Sequence, residues 1–133
     1  FGDGTADALR MRFFENGVLE TGNVYQVATQ VGRDNGNFGE ASQTAFSGIF
    51  LGETAIRTQN AYVYLYNLQD SSKYSFCTWN MNTVDTNPNF FFRFGSAVLP
   101  QASTVDGIRI FGAGGENIST AFTMSLYGIK EYS

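Results

Sequence analysis

Hydrophobic and polar positions alternate in twos along most of this chain. In the closing stretch FTMSLYGIKEYS, Phe122, Met124 and Leu126 share one face and Thr123, Ser125 and Tyr127 the other, the pattern of a strand buried on one side. The same period recurs upstream. In ALRMRFF, Leu9, Met11 and Phe13 alternate with Arg10 and Arg12, VYQVATQV groups Tyr25, Val27 and Val31, and AYVYLYNL sets Tyr62, Tyr64 and Tyr66 against Val63 and Leu65. AFSGIFLG, KYSFCTWN, FFFRFGSAVL, VDGIRIF and AFTMSLYGI bring the predicted strands to eight, with no amphipathic helix between them. FFFRFGSAVL is apolar on both faces, as expected of a strand covered on two sides or buried at a subunit contact.

Turn chemistry separates these runs. Asn16-Gly17 and the TGN of residues 21–23 punctuate the first third of the chain, and GRDNGNFGE reads as a turn or surface loop whose Asn35-Gly36 pair suits the positive φ of a tight hairpin. MNTVDTNPN is predicted as a polar loop, because Pro88 has no N–H to give a sheet ladder. GAGGEN is predicted as a hairpin turn through Gly112, Gly114 and Gly115, and lacks the Lys and Ser or Thr of a phosphate loop. Eight short strands without helices predict an all-β fold: a two-sheet antiparallel sandwich, jelly-roll-like, with an up-and-down barrel as the alternative. No repeat of fixed period stands out.

Composition sharpens this picture. A chain of 133 residues is one domain's length, so residues 1–133 are expected to share one core. It opens at Phe1 in FGDGTAD, a linker-like segment, as expected of a fragment or processed chain that lacks N-terminal residues of a longer one. With 13 Phe, 7 Tyr, 15 Gly and 15% charged residues it is rich in strand and turn formers. A net charge of −4 offers little field for a phosphate backbone or an anionic lipid surface, so neither nucleic acid nor membrane is an expected partner. No apolar run reaches the length of a membrane span, and the first residues lack the order of a signal peptide.

The chemistry on offer is sparse. The chain has no histidine, which removes the commonest general base and metal ligand together. Its one cysteine, Cys77, has no partner for an internal disulfide and reads as a buried, inert thiol. Asp34, Asn35, Asn37 and Glu40 offer oxygens of the kind calcium prefers, but not at EF-hand spacing, and read as a solvated turn. Glu15, Glu20, Asp85, Asp106 and Glu116 are the acids from which a glycosidase pair would be drawn, and linear position pairs none of them. No catalytic residue, metal site or cofactor is therefore assigned. Asn117-Ile118-Ser119 spells a glycosylation sequon that matters only in a secretory pathway. Trp79 with Tyr62, Tyr64 and Tyr66 has the flat faces that stack on sugar rings, and equally the bulk that fills a core or a subunit contact. Phe90, Phe91, Phe92 and Phe94 give more apolar surface than one sandwich face absorbs, and are expected to lie partly at a subunit interface.

The segment VDGIRIFGAGGENISTAFTMSLYGIK resembles the end of a β-rich domain found in structural proteins of tailed bacteriophages, which finishes in a hairpin whose second strand reads much like LYGIK. ALRMRFFENG followed by VYQVATQ, then AFSGIFLG and CTWNMN, agree with that domain in order, so the likeness runs from about Leu9 to Lys130. One departure is ISTAF, where a further glycine near Thr120 belongs to the pattern. The resemblance implies a jelly-roll-like, non-enzymatic virion structural protein: a capsid decoration or cement protein, or alternatively a tail fibre or spike module that binds host-surface carbohydrate. It also implies a homo-oligomer, commonly a trimer, set against other virion proteins such as the major capsid protein. A glycan hydrolase ranks behind both.

Overall fold

The computed structural model describes residues 8–53, 56–85, 87–113 and 123–129. Nine strands occupy most of them: β1 (Ala8–Glu15), β2 (Val18–Leu19), β3 (Tyr25–Arg33), β4 (Phe38–Phe46), β5 (Ile49–Glu53), β6 (Ile56–Tyr66), β7 (Tyr74–Asp85), β8 (Phe90–Ala102) and β9 (Val105–Gly112). They form two antiparallel sheets packed face to face rather than a closed barrel. In the larger sheet the order is β4-β3-β8-β7-β6. In the smaller, β1 is central, with β9 along one side and β5 and β2 sharing the other.

The turns are where residue chemistry asks for them. Glu15 pairs with Val18 across a two-residue turn in which Asn16 (φ 50°) and Gly17 (φ 79°) both take positive φ, as a primed hairpin turn requires. The GRDNGNFGE stretch is also a hairpin, as its Asn35-Gly36 pair suggests, but β4 takes up the end of what reads as a turn or loop. Arg33 N–H donates to the Asn37 carbonyl at 2.9 Å, Gly36 (φ 82°) closes the turn, and β4 begins at Phe38. Its mixed composition hid β4, which lies at the sheet edge with one face toward solvent. Two further boundaries move. AFSGIFLG is split at Ser47-Gly48, where the chain crosses from one sheet to the other. MNTVDTNPN is strand as far as Asp85, and only the stretch around Pro88 is a turn, closed by the Asp85 carboxylate accepting from the N–H groups of Asn87 (2.8 Å) and Asn89 (3.0 Å).

The core between the sheets is built by alternate residues of each strand. Leu9, Met11 and Phe13 of β1 and Ile49 and Leu51 of β5 meet Tyr25 and Val27 of β3, Cys77 and Trp79 of β7, and Ala97 and Leu99 of β8. A second cluster, Val31, Met81 and Phe91, extends it toward one end. Tyr25 links the layers by more than packing. Its hydroxyl accepts from Phe13 N–H at 2.9 Å and donates to the Glu20 carbonyl at 3.4 Å.

The closing segment departs from its pattern. AFTMSLYGI was expected to be the strand that completes the sandwich. Residues 121 and 122 lie outside the described residues, and 123–129 have no strand pairing and stand exposed, Leu126 at 75% and Tyr127 at 83%. Alternation alone does not make a strand: its backbone groups need a neighbour's ladder, and among the described residues this segment has none.

Burial pushes the Tyr25 hydroxyl from 10.0 up to about 12. In alkali the unfolded chain releases that proton first while the fold retains it, so stability falls as pH rises from about 10 toward 12. Urea midpoints at about pH 9 and pH 11.5 measure this. Tyr25→Phe shrinks the alkaline loss, and at neutral pH it costs about 1–3 kcal/mol because the buried Phe13 N–H loses its acceptor.

Candidate functional site: the outer face of the larger sheet

Alternation along β8 decides what the molecule shows to its surroundings. Odd positions from Phe91 to Leu99 turn inward, and even positions turn out. Phe91 is thus a core residue, 3% exposed and packed on Val31 and Met81, and is unavailable to a partner. Phe90, Phe92 and Phe94 lie on the outer face, where Phe92 and Phe94 stack with ring centroids 6.3 Å apart. Of the aromatic residues considered for sugar contact, Trp79 is likewise placed in the core at 2% exposure, its indole N–H without an acceptor among the described residues. Tyr62, Tyr64 and Tyr66 stand exposed on β6, the first two edge to face at 5.5 Å.

The strand registers bring these side chains into rows across the sheet. One row runs Phe38, Gly32, Phe92, Asn82, Asn60; the next runs Glu40, Gln30, Phe94, Asn80, Tyr62. A third, Ser42, Ala28, Ser96, Thr78, Tyr64, has small side chains at its centre, and in a fourth Val98, Phe76 and Tyr66 are neighbours. The rings of Phe38 and Phe92 lie over Gly32, where a Cβ would meet Phe92 Cζ at 2.5 Å, so the missing side chain is what lets them close over the backbone. The small third row makes a shallow groove walled by Phe94 on one side and Tyr62 and Tyr64 on the other, with Gln30, Glu40 and Asn80 at its rim. The face is an aromatic field crossed by one polar-floored channel. Phe38 and Phe76 belong to it as fully as the residues singled out from the sequence. For Phe76 the signal was available, because Ser75, Cys77 and Trp79 share the opposite parity; for Phe38 it was hidden with β4.

The ionisable residues have other work. Glu15 accepts from the Ser103 hydroxyl and, at 3.0 Å, from the Gln101 amide nitrogen, and Glu20 accepts from Gly22 N–H at 2.6 Å. These contacts tie the β1–β2 hairpin to the end of β8. Asp34 accepts from Phe90 N–H and Asn35 from Asn37 N–H, both at 3.0 Å, so of the oxygens weighed for calcium one holds the start of β8 and another the backbone of its own hairpin. Asp106 lies exposed on β9, while Glu116 and the Asn117 sequon fall outside the described residues. Among the described residues no three Cys, Asp or Glu side chains gather as a ligand set. No helix there is long and apolar enough to cross a membrane.

Comparison with known proteins adds no family: no family model matches the chain, and no curated protein or solved structure matches it.

Cys77 lies wholly inside the core, and burial pushes its thiol from 9.0 up to about 12. A maleimide at pH about 7 is therefore expected to label the native chain no faster than it unfolds, and the urea-unfolded chain at once and stoichiometrically. Prompt labelling of the native chain would show that the thiol is reachable and reactive.

Proposed function

We propose that the chain is a non-enzymatic structural module that docks through the outer face of its larger sheet onto another protein. The setting proposed is the one its C-terminal resemblance implies, a tailed-phage virion, with capsid decoration ahead of a place in the tail. The observation that carries the docking role is the row-by-row placement of Phe38, Phe92, Phe94 and Phe76 on one solvent-facing surface, several of them more than 40% exposed. Phenylalanine has no polar end to satisfy in water, and such a surface is stabilised when a partner covers it. Core-facing alternatives for these rings are closed, because the inner positions of the same strands are already filled.

The groove supports a second reading, from a different class. Tyr62 and Tyr64 beside a floor of Ala28, Ser96 and Thr78, with the Gln30 and Asn80 amides at hand, combine flat stacking faces with hydrogen-bonding groups. That combination suits the face of a sugar ring, as in a tail module that holds host-surface carbohydrate.

Separate variants test the two. Phe94→Ser is expected to lower fold stability by only about 1 kcal/mol, since its ring is half exposed and packs on Phe92. It should lower the fraction of chain co-sedimenting with the native particle at least tenfold. Phe91→Ser, by contrast, costs about 3–5 kcal/mol of fold stability. Should Phe94→Ser bind the particle as well as the parent while Tyr64→Ala loses retention on a glycan array, the sugar reading replaces the protein one. Electron cryomicroscopy of the particle then distinguishes copies spread over the shell from copies at the tail.

A further inference from the structure

The smaller sheet ends on an open edge. β9 pairs with β1 along its length, and among the described residues no strand lies on its other side. Its inward side chains show the consequence. Ile108 and Ile110 pack against the core but remain only partly buried, whereas Ile49, Phe50 and Leu51 of β5, on the far side of β1, are all buried. The core is thus under-covered on the β9 side. No proline interrupts β9, so its outer N–H and C=O groups form an uninterrupted template for another strand.

The same chain carries a strand-like segment with no sheet. Over residues 123–129, Met124 and Leu126 fall on one face and Thr123, Ser125 and Tyr127 on the other, and Met124 (57%) and Leu126 (75%) are open to water. Its seven described residues match the eight of β9 in length. Among the described residues, an unpaired edge whose isoleucines are only partly covered and a segment without strand pairing that presents apolar side chains at period two are complementary.

We propose that residues 123–129 add as a strand to the β9 edge of a second copy of this chain, setting Met124 and Leu126 over Ile108 and Ile110. Reciprocal exchange closes a dimer, and head-to-tail exchange closes a ring such as a trimer. Main-chain hydrogen bonds supply affinity along the edge, and the alternate apolar side chains set the register. The surface used is the β9 edge of the smaller sheet and not the aromatic face. The inference rests on the proposed assembly role only for its biological setting.

Disulfide trapping in the full-length chain tests it. One chain carries Arg109→Cys, an exposed β9 position, and a second, tagged to differ in mass, carries Thr123→Cys, Ser125→Cys or Tyr127→Cys to span the registers; the buried Cys77 stays in place. After co-expression and mild oxidation, non-reducing electrophoresis is expected to show a dimer linked between the two species for at least one position. Leu126→Asp in the donor chain should reduce that band at least tenfold, and Phe94→Ser should leave it unchanged. A chain carrying both Arg109→Cys and one of the segment cysteines distinguishes the alternative. If it links only within itself, at monomer mass, the segment closes its own sheet and exchange is overturned; absence of any cross-link overturns it equally. Particle binding without a mixed disulfide rejects the exchange and leaves the docking face standing, and a mixed disulfide without particle binding does the reverse.

Discussion

The ring of Trp79 lies across the backbone of β8 at Gly95, and the facing of the longest strand depends on that contact. A Cβ at position 95 would stand 2.6 Å from both Trp79 Cζ2 and the Ala28 carbonyl oxygen, so only glycine allows the indole to lie flat between β7, β8 and β3. With Gly95 pointing inward under the indole, Phe91, Arg93, Ala97 and Leu99 must point inward too. Phe90, Phe92, Phe94 and Ser96 must then point out. A slip of one residue would bring Phe90, Phe92 and Phe94 to the inner places of Phe91, Arg93 and Gly95, the last of which has no room for a side chain, and would turn Leu99 into water. The outer face owes its character to this packing contact on the other side of the sheet.

Even the charged member of that inward set is accommodated by an aromatic residue. Arg93 is 6% exposed, and its guanidinium sits 4.2 Å from the centroid of Phe50, which belongs to the opposite sheet. A planar, weakly hydrated cation over a ring face suffers less on burial than a lysine would at the same place. Arg10 over Phe46 and Arg12 over Phe111 repeat the device on the smaller sheet. Few charges and many rings are thus one design: the rings that build the core and the faces also hold the arginines.

The sequence made the fold class and most strands legible because alternation survives wherever one face is buried and the other wet, as in Leu9, Met11 and Phe13 against Arg10 and Arg12. It failed where that contrast disappears. β4 mixes Phe38 with Glu40, Ser42, Gln43 and Thr44, and an edge strand of that kind looks like a loop until its partner is known. The aromatic site was half legible. Tyr62, Tyr64 and Tyr66 show their common face directly, but in a run such as FFFRF both parities are apolar, so the sequence does not say which ring faces in; the pairing with β7 and the glycine beneath Trp79 do. Trp79 shares its parity with Cys77, which reads as buried, and that neighbour, rather than the polar residues beside it, pointed to its place in the core.

The two edges of the larger sheet differ from the places where apolar surface gathers. Both of its edges are exposed strands, yet β4 interrupts its apolar ends with Glu40, Ser42, Gln43 and Thr44, and β6 sets Asn60 and its tyrosines toward water, so neither offers continuous apolar gain to an added strand. Apolar surface is concentrated at two other places: the Phe38 to Phe76 field on the outer face, and the under-covered Ile108 and Ile110 of β9 with the exposed segment that complements them. With a net charge of only −4 on 133 residues, general repulsion does little to keep copies apart. Selectivity has to come from shape and register, which a face laid out in rows and an edge with alternating side chains both supply. If the docking face and the β9 edge act as proposed, a different protein and a second copy would use separate surfaces, and the alternating side chains at β9 would limit which strands can add there.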